Sequence, residues 1–492
     1  MKIPILISSL LILSVTTFSQ TNYVKLISCS QEEIPICLKQ IGNSYFASIR
    51  TCYEKLGLWQ GTNFLKLNSF GEITAELNYE ISDDHFFSIE NILYLNNADF
   101  LAIGRYKSET EENANIEIMR LDTNLNLIWE KRYAVNSPLI GNITSILGEN
   151  GNIIIGTACV TMLPDWQRML LFMEVSSDGD SIQSKYEVNG NPYSTSIYSL
   201  IALNGQYKAF VYGYSSYVPN QGFSEILQLD AGFNLLGVNP APYIIEGYTT
   251  ACKIDEFRYY LSGMAYSSPT HYDVGIAKLS SSEDSIAYNH AGKPGITVDY
   301  SGWKKCMTIA NSNSIYTGGT GFDNGDFYNC NYINKVLMLS NYDSLLNCRW
   351  TRFYGNDTAY YTMSTLDATS DGGCIMGGMI YTPTRPENLL DAVIIKVDSL
   401  GFFTGLPENT PLQMHEAIVY PNPGQNIVTI QIGPQICGAF FRMYNINGTI
   451  VTETILEKST EQINISNLPP GTYPWQIIYK GKITEYGKWI RQ

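Results

Sequence analysis

The chain has 492 residues, of which 45% are hydrophobic and only 16% charged, and it contains 35 Tyr and 40 Gly. This composition is typical of a turn-rich all-β protein, because blocks of the helix-favouring residues Ala, Glu, Lys and Leu are absent. The formal charge of −15 argues against nucleic acid as a partner, because a phosphate backbone would be repelled.

Residues 1–20 have the pattern of a cleavable secretory signal peptide. Lys2 is followed by the apolar run Ile3–Val15, and small residues precede a cleavage site expected after Ser19 or Gln20. The run is shorter than the ~20 residues that span a bilayer, and no comparable run occurs later in the sequence. We therefore expect an exported mature chain without a transmembrane segment.

Residues 21–405 carry a repeat of about 54 residues that predicts a seven-bladed β-propeller. An apolar strand that runs into a polar turn recurs seven times, and its last apolar residue is Leu67, Leu121, Val175, Leu229, Leu279, Leu339 and Val397. Each unit contains four short strands separated by turn residues, as a propeller blade does. Tandem immunoglobulin-like sandwiches are the competing architecture, but each of them needs ~100 residues.

Two further features of the repeat concern its geometry. A strand with a glycine, such as Gly104 or Gly156, precedes the apolar strand in most units, and a glycine there indicates a close approach of backbones or a bulge. The last unit has no obvious fourth strand, so we expect the short apolar segment Asn22–Ile27 to complete the ring. The unit Lys396–Gly401 resembles repeats of exported bacterial proteins, which implies fold and export but no particular activity.

A linker at 406–413 precedes a different pattern of alternating strands at 414–492, which predicts a small immunoglobulin-like β-sandwich. Its motifs resemble, in order and spacing, the type A C-terminal sorting domain of type IX secretion (Por secretion) substrates. The residues that carry the resemblance are Tyr420, Pro421, Asn422, Pro423, Asn445, Gly448, Leu468, Gly471, Tyr473 and Lys488. The resemblance implies that an outer-membrane translocon recognises residues 414–492, which are then removed. The alternative is an ordinary accessory domain of the same architecture.

The sequence offers little evidence for catalysis. Its four histidines have no metal-ligand spacing, and nucleophile-elbow, phosphate-loop and dinucleotide-binding motifs are absent. Acidic stretches such as Asp178–Asp180 and Asp323–Asp326 fit tight turns better than calcium loops. We therefore predict no metal, no cofactor and no particular catalytic residue.

Loop lengths indicate where a ligand would bind. If the strands of each unit are A to D, the B–C loops are the long and variable ones, and in a propeller they share a face with the D–A connections. Aromatic and imidazole side chains in these loops are the candidate ligand-binding residues: Trp166, Tyr217, His271, Tyr272, Phe327 and Tyr328. The alternative is that these side chains only pack the loops onto the rim.

Together these patterns predict an exported propeller that binds a glycan or protein at the cell surface or outside the cell. The alternative is a secreted polysaccharide-degrading enzyme, a glycoside hydrolase or lyase, with carboxylates near the propeller axis. Carboxylates of raised pKa at the channel mouth would favour the enzyme, and an uncharged channel filled by side chains would favour binding.

Overall fold

The structure is a computed structural model that describes residues 23–27, 32–52, 59–79, 85–95, 99–108, 111–160, 168–187, 194–214, 222–242, 245–268, 271–293, 298–322, 335–355, 359–383, 390–402, 417–432, 437–445, 449–479 and 482–492. The regular elements in these ranges are β-strands. The predicted all-β fold is therefore confirmed. The predicted signal peptide 1–20 and linker 406–413 lie outside the described residues.

The first half of the chain forms one short strand and four antiparallel four-stranded sheets. The short strand is β1, Tyr23–Ile27. The first sheet comprises β2 to β5: Glu32–Ile41, Ser44–Cys52, Trp59–Leu67 and Ile73–Tyr79. The second comprises β6 to β9: His85–Tyr94, Phe100–Ser108, Asn115–Leu121 and Leu127–Ala134. The third comprises β10 to β13: Leu139–Leu147, Ile153–Val160, Arg168–Val175 and Ser181–Glu187. The fourth comprises β14 to β17: Ser194–Leu203, Gln206–Tyr214, Gly222–Leu229 and Leu235–Pro240.

The pattern continues for three more units. The fifth comprises β18 to β21: Glu246–Asp255, Arg258–Ser268, His271–Ser280 and Ser285–Ala291. In the sixth, the first strand is split in two, and the unit comprises β22 to β26: Val298–Ser301, Met307–Asn311, Ser314–Phe322, Val336–Tyr342 and Cys348–Tyr354. A single parallel bridge from Tyr272 to Val298 links the fifth and sixth units. The seventh contains β27 to β29: Tyr360–Ala368, Cys374–Tyr381 and Leu390–Val397.

The N-terminal strand β1 supplies the fourth strand of the seventh unit. Its residues pair antiparallel with β29, from Tyr23 opposite Lys396 to Ile27 opposite Ala392. This is the closure expected from the sequence. Two distant parts of the chain therefore complete one sheet, which fastens the ring.

The first strands of the units form the inner wall of a ring. Among the described strands, each of these first strands contacts the first strand of the next unit, and the ring closes where β27 contacts β2. The strands concerned are β2, β6, β10, β14, β18, β23 and β27. Buried apolar clusters lie between neighbouring sheets: Phe46 and Phe64 pack on Phe100 between the first two, and Ile375 packs with Leu38 between the last and first. We interpret the units as seven propeller blades held by these interfaces.

Polar side chains close the C–D turns of the units. In the second unit Asp122 Oδ1 accepts hydrogen bonds from the backbone N–H groups of Asn124 and Asn126, and Leu125 between them has φ 67°. Asp230, Asp343 and Asp398 make the same turn. The repeat was expected to turn at Ser340 in the sixth unit, but β25 runs on to Tyr342 and Asp343 makes the turn.

Residues after the propeller form two further sheets. One contains β30, β31 and β34: Ile418–Tyr420, Ile427–Gln431 and Thr460–Asn464. The other contains β32, β33, β35 and β36: Ala439–Tyr444, Ile450–Leu456, Gly471–Tyr479 and Lys482–Arg491. Residues of both sheets share one apolar core around Phe441, Trp475 and Trp489. Among the described residues no helix has the length and hydrophobicity to cross a membrane.

Candidate functional site

Two of the predicted loop-face residues lie within the described part of the chain. His271 and Tyr272 begin β20. The hydroxyl of Tyr272 donates to that of Tyr266 at 2.9 Å, and the two rings lie 4.5 Å apart, so Tyr272 packs on its own hairpin. Trp166, Tyr217, Phe327 and Tyr328 lie outside the described residues. Ligand binding at this face stays a prediction.

The first predicted sorting motif joins two ends of the C-terminal sandwich. Exposed residues Tyr420 to Pro423 begin at the last residue of β30. The Asn422 side chain donates to the carbonyl of Lys488 and accepts from the N–H of Ile490, both at 2.9 Å. The Trp489 indole donates to the carbonyl of Pro421 at 2.6 Å. The motif thus fastens the start of the sandwich to its last strand.

The other motif residues also have structural roles. Asn445 Oδ1 accepts a hydrogen bond from the N–H of Thr449 at 2.9 Å. Gly471 is the first residue of β35, and Tyr473 lies two residues further along the same strand. The Tyr473 hydroxyl donates to the carbonyl of Pro469 at 2.6 Å. Leu468 is buried in the sandwich core. Gly448 lies outside the described residues. Lys488 instead contacts the propeller, since its Nζ lies 3.2 Å from Oδ2 of Asp398 in the seventh unit.

Irregularities in the inner strands shape the channel at the centre of the ring. In the first, second and seventh units the pairing of strands A and B skips one residue, which is Ile36, Glu90 and Ser364, respectively. In the sixth unit the interruption grows to the segment 302–306 between β22 and β23. A bulge re-aims a side chain away from the regular alternation of a strand. Glu90 and Lys304 reach the channel wall in this way.

The glycines of the repeat make room for these bulges. A Cβ atom built on Gly104 would lie 2.3 Å from the carbonyl oxygen of Ser88, and one on Gly319 would lie 2.2 Å from that of Tyr300. A Cβ atom built on Gly378 would lie 2.8 Å from the carbonyl oxygen of Thr362. The close backbone approach expected from the glycine anchor is therefore present in these units.

Glu90 is the centre of a buried cluster of opposite charges. Its carboxylate has no exposed side-chain surface and contacts the guanidinium groups of Arg50 and Arg105 and the ammonium of Lys304, the last two at 3.1 and 2.5 Å. The hydroxyl of Ser88 donates to it at 2.9 Å. Burial alone would raise the pKa of Glu90, but the three cations outweigh burial and hold it well below its ordinary value.

Lys304 is the cation of this cluster that faces the cavity. Its Nζ also donates to Oδ1 of Asn142 at 2.6 Å, and its side chain is only 8% exposed. Burial lowers the pKa of the Lys304 ammonium to about 8: Glu90 opposes the decrease, and Arg50 and Arg105 add to it. Lys304 is therefore an amine that changes charge near neutral pH.

A second charged cluster lies nearer the A–B turns. The carboxylate of Asp367 is 4% exposed and contacts the ammonium groups of Lys305 at 2.5 Å and Lys39 at 3.0 Å. Burial would raise the pKa of Asp367, but the two lysines lower it below its ordinary value. Lys39 lines the main cavity and also a second hollow of about 260 Å³ that extends to Ser370.

The two clusters border one cavity of about 190 Å³ in the channel. Its wall includes the residues Asn91, Asn142, Ser145, Tyr198 and Thr250 besides Glu90 and the three lysines. The channel is neither uncharged nor filled, and its carboxylates have lowered pKa values, so neither extreme expected from the sequence occurs. Among the described residues, no three His, Cys, Asp or Glu side chains converge as metal ligands would.

Comparisons with known proteins found one family and several solved structures that are similar to this chain. Residues 418–491 match the family described as secretion system C-terminal sorting domain. Among the curated proteins none matches the chain. Similar solved structures include the β-propeller domain of the Trilobed protease from Pyrococcus furiosus, with 13% identity, 74% of this chain and 96% of that chain covered, and a TM-score of 0.42.

Two enzymes are also among the similar structures. A PL25 ulvan lyase has 8% identity, 76% of this chain and 96% of its own covered, and a TM-score of 0.47. The acylaminoacyl peptidase of Pyrococcus horikoshii has 12% identity, 83% of this chain and 59% of its own covered, and a TM-score of 0.46. No property of these proteins is carried over to this chain at such identities and TM-scores.

Proposed function

We propose that this type IX secretion substrate, which its C-terminal sorting domain directs to the cell surface or the outside, binds an extracellular ligand in the channel of its propeller. The observation that carries the proposal is the polar cavity of about 190 Å³ at the centre of the ring. Concave sites with a few convergent polar groups are where proteins bind small ligands or parts of larger ones. The inner strands and the segment 302–306 form the wall of this cavity.

The charges in the channel favour binding over glycoside hydrolysis. A glycoside hydrolase needs one carboxyl group that is protonated at the working pH, and its pKa must therefore be raised. Glu90 and Asp367 are both paired with cations that lower their pKa values. Because both are carboxylates at neutral pH, neither serves as a general acid.

A polysaccharide lyase is the second candidate, and one observation favours it. A lyase needs a base that removes the proton next to a uronate carboxylate, and an amine with a pKa near the working pH is suited to this step. Lys304 has a pKa of about 8 and faces the cavity. In the neutral form it would accept that proton while the glycosidic bond to the leaving oxygen breaks.

One screen separates the two candidates. The mature protein is applied to arrays of glycans and proteins, and each bound polysaccharide is then incubated with it and assayed for the unsaturated uronate that elimination forms. We expect the protein to bind a ligand without forming unsaturated uronate, and we expect Lys304→Met to weaken this binding. Lys131→Met is the matched control, because Lys131 is also ion-paired but lies on the outer strand β9. Product formation that Lys304→Met abolishes would establish the lyase instead, and absence of any bound ligand would refute both.

A further inference from the structure

We infer that the channel cavity is an anion site, in which Lys304 and Lys305 bind one carboxylate or sulfate group of an acidic saccharide. This inference rests on the proposed function and names the class of its ligand. It concerns a site on the inner strands and the segment 302–306.

The sign of the charge around the cavity is opposite to that of the whole chain. Lys39, Glu90, Lys304 and Lys305 line the cavity, and these groups bond in turn to Arg50, Arg105 and Asp367. Among the described residues of these clusters, the cations Lys39, Arg105, Lys304 and Lys305 outnumber the carboxylates of Glu90 and Asp367 by two, whereas the formal charge of the chain is −15. Glu33 is also buried in β2 but does not line the cavity.

Much of this excess charge is removed from water. Arg105 is 12% and Lys304 8% exposed, and in the described part of the chain Glu90 is the carboxylate that contacts both. A buried charge is tolerated when an opposite charge and hydrogen bonds compensate it. One carboxylate does not balance both of these cations, so a bound anion would complete the cluster. The surplus is the feature that points to a ligand rather than to an internal ion pair.

The two lysines belong to the longest interruption of an inner strand among the described units, and the fifth unit has a shorter one at 247–249. Segment 302–306 interrupts the inner strand of the sixth unit, whereas the first, second and seventh units have one-residue bulges at this place. The backbone N–H groups of Lys304 and Lys305 both donate to the carbonyl oxygen of Ser364, at 2.9 and 3.2 Å. The segment is therefore held in place, and it directs one ammonium to each charged cluster.

The size and lining of the cavity select one group of a saccharide. Its volume of about 190 Å³ corresponds to roughly six water molecules at ~30 Å³ each. That space accommodates an anionic group with part of a sugar ring, but not an extended chain. Asn142 and Tyr198 also line the cavity, and the Nδ2 group of Asn142, whose Oδ1 accepts from Lys304, is suited to a sugar hydroxyl.

The test uses the mature protein and four defined probes at constant ionic strength. Titration calorimetry measures binding of glucuronate, inorganic sulfate, neutral glucose and an acetylated glutamate peptide. We expect glucuronate and sulfate to compete for one site and glucose to bind at least tenfold more weakly. Sulfate that binds as tightly as glucuronate would overturn the saccharide assignment and leave a site for free small anions. Tighter binding of the peptide would also overturn it, in favour of an acidic protein ligand.

Variants then assign the site to the two lysines. Lys304→Met and Lys305→Met should each weaken glucuronate binding at least tenfold, and the control Lys131→Met should leave it unchanged. Lys304→Met removes a surplus cation, so its melting temperature is expected to stay at or above that of the wild type. If it fails to fold, Lys305→Met gives the same test from the other cluster. Unchanged affinity in the folded variants would refute the inference, whereas a neutral glycan that binds in the channel would refute it and leave the proposed function standing.

Discussion

Replacement of Glu90 by glutamine is the sharpest test of the buried charge cluster. Glutamine keeps the shape of the side chain and removes its negative charge. Arg50, Arg105 and Lys304, which all contact this carboxylate, then lose its negative charge as a partner. Breaking a buried ion pair by removal of one partner costs about 3 to 5 kcal/mol of unfolding free energy. We expect Glu90→Gln to lose about that amount at pH 7.

The size of the propeller converts this loss into a melting temperature. Residues 23–402 are roughly 380 residues, and an unfolding entropy of about 2.1 cal/mol/K per residue gives about 0.8 kcal/mol/K. A loss of 3 to 5 kcal/mol therefore lowers the melting temperature by about 4 to 6 °C. The lower end is favoured because Lys304, whose pKa is already about 8, can lose its proton when Glu90 is neutral.

The assay is differential scanning calorimetry of the propeller transition in matched variants. The control is Asp180→Asn, because Asp180 is paired with Lys131 but is 79% exposed, and an exposed pair contributes less than about 1 kcal/mol. A double variant, Glu90→Gln with Lys304→Met, should recover part of the stability by removing one unpaired cation. Equal melting temperatures for Glu90→Gln and Asp180→Asn would refute the cluster as described.

The pH dependence gives the same prediction an internal check. The pKa of Glu90 is lower in the folded protein than the ~4.3 of an unfolded chain. The stability from this group is therefore complete above that unfolded value and is lost as the pH falls through the folded pKa. The stability difference between wild type and Glu90→Gln should therefore shrink as the pH falls below ~4.3, because wild-type Glu90 then becomes protonated. A difference that grows over this acid range would contradict the sign of the shift.

Three further predictions concern the glycine anchor, the lysine and the sorting domain. Gly104→Ala should destabilise the propeller by about 1 to 3 kcal/mol in urea unfolding, because its Cβ would lie 2.3 Å from the carbonyl oxygen of Ser88. Gly237→Ala is the control, because the nearest atom to its Cβ would lie at 4.0 Å. Equal effects of the two substitutions would contradict the close approach at Gly104. Glucuronate binding should weaken as the pH rises through about 8, where Lys304 loses its charge; affinity that is flat from pH 7 to 9 in calorimetry would rule out this role. Removal of residues 413–492 should retain the protein in the periplasm, and immunoblots that find the truncated chain in the medium would disprove the export argument.

Much of the propeller could be predicted because its repeat is visible in local sequence patterns. In the second unit the alternation of apolar strands and turn residues predicted strands at Ile89–Leu95, Asp99–Tyr106, Ile116–Leu121 and Leu127–Tyr133, close to the observed β6 to β9. The closure by β1 was also predictable, since the last unit lacked a strand. The sixth unit deviated at its turn because β25 is longer than the repeat suggested.

The candidate site was harder to predict because it depends on contacts between distant residues. Glu90 meets Lys304 across 214 positions of sequence, and Asp367 meets Lys305 across 62. Neither pairing has a local motif, and the bulge that turns Glu90 toward the channel is a property of strand pairing. Two signals were nevertheless present: the glycine anchor, which marks the bulges, and the adjacent lysines at 304 and 305 in an acidic chain. The glycine anchor helped to predict the fold, whereas the adjacent lysines were not recognised as part of a site.

The most direct test of the channel as the ligand site is diffraction from crystals of the mature protein soaked in selenate, which resembles sulfate and scatters anomalously. We predict an anomalous peak inside the cavity, within hydrogen-bonding distance of Lys304 or Lys305, that disappears when glucuronate is added in excess. Anomalous peaks on the outer surface alone, with a cavity that holds only water, would contradict the account.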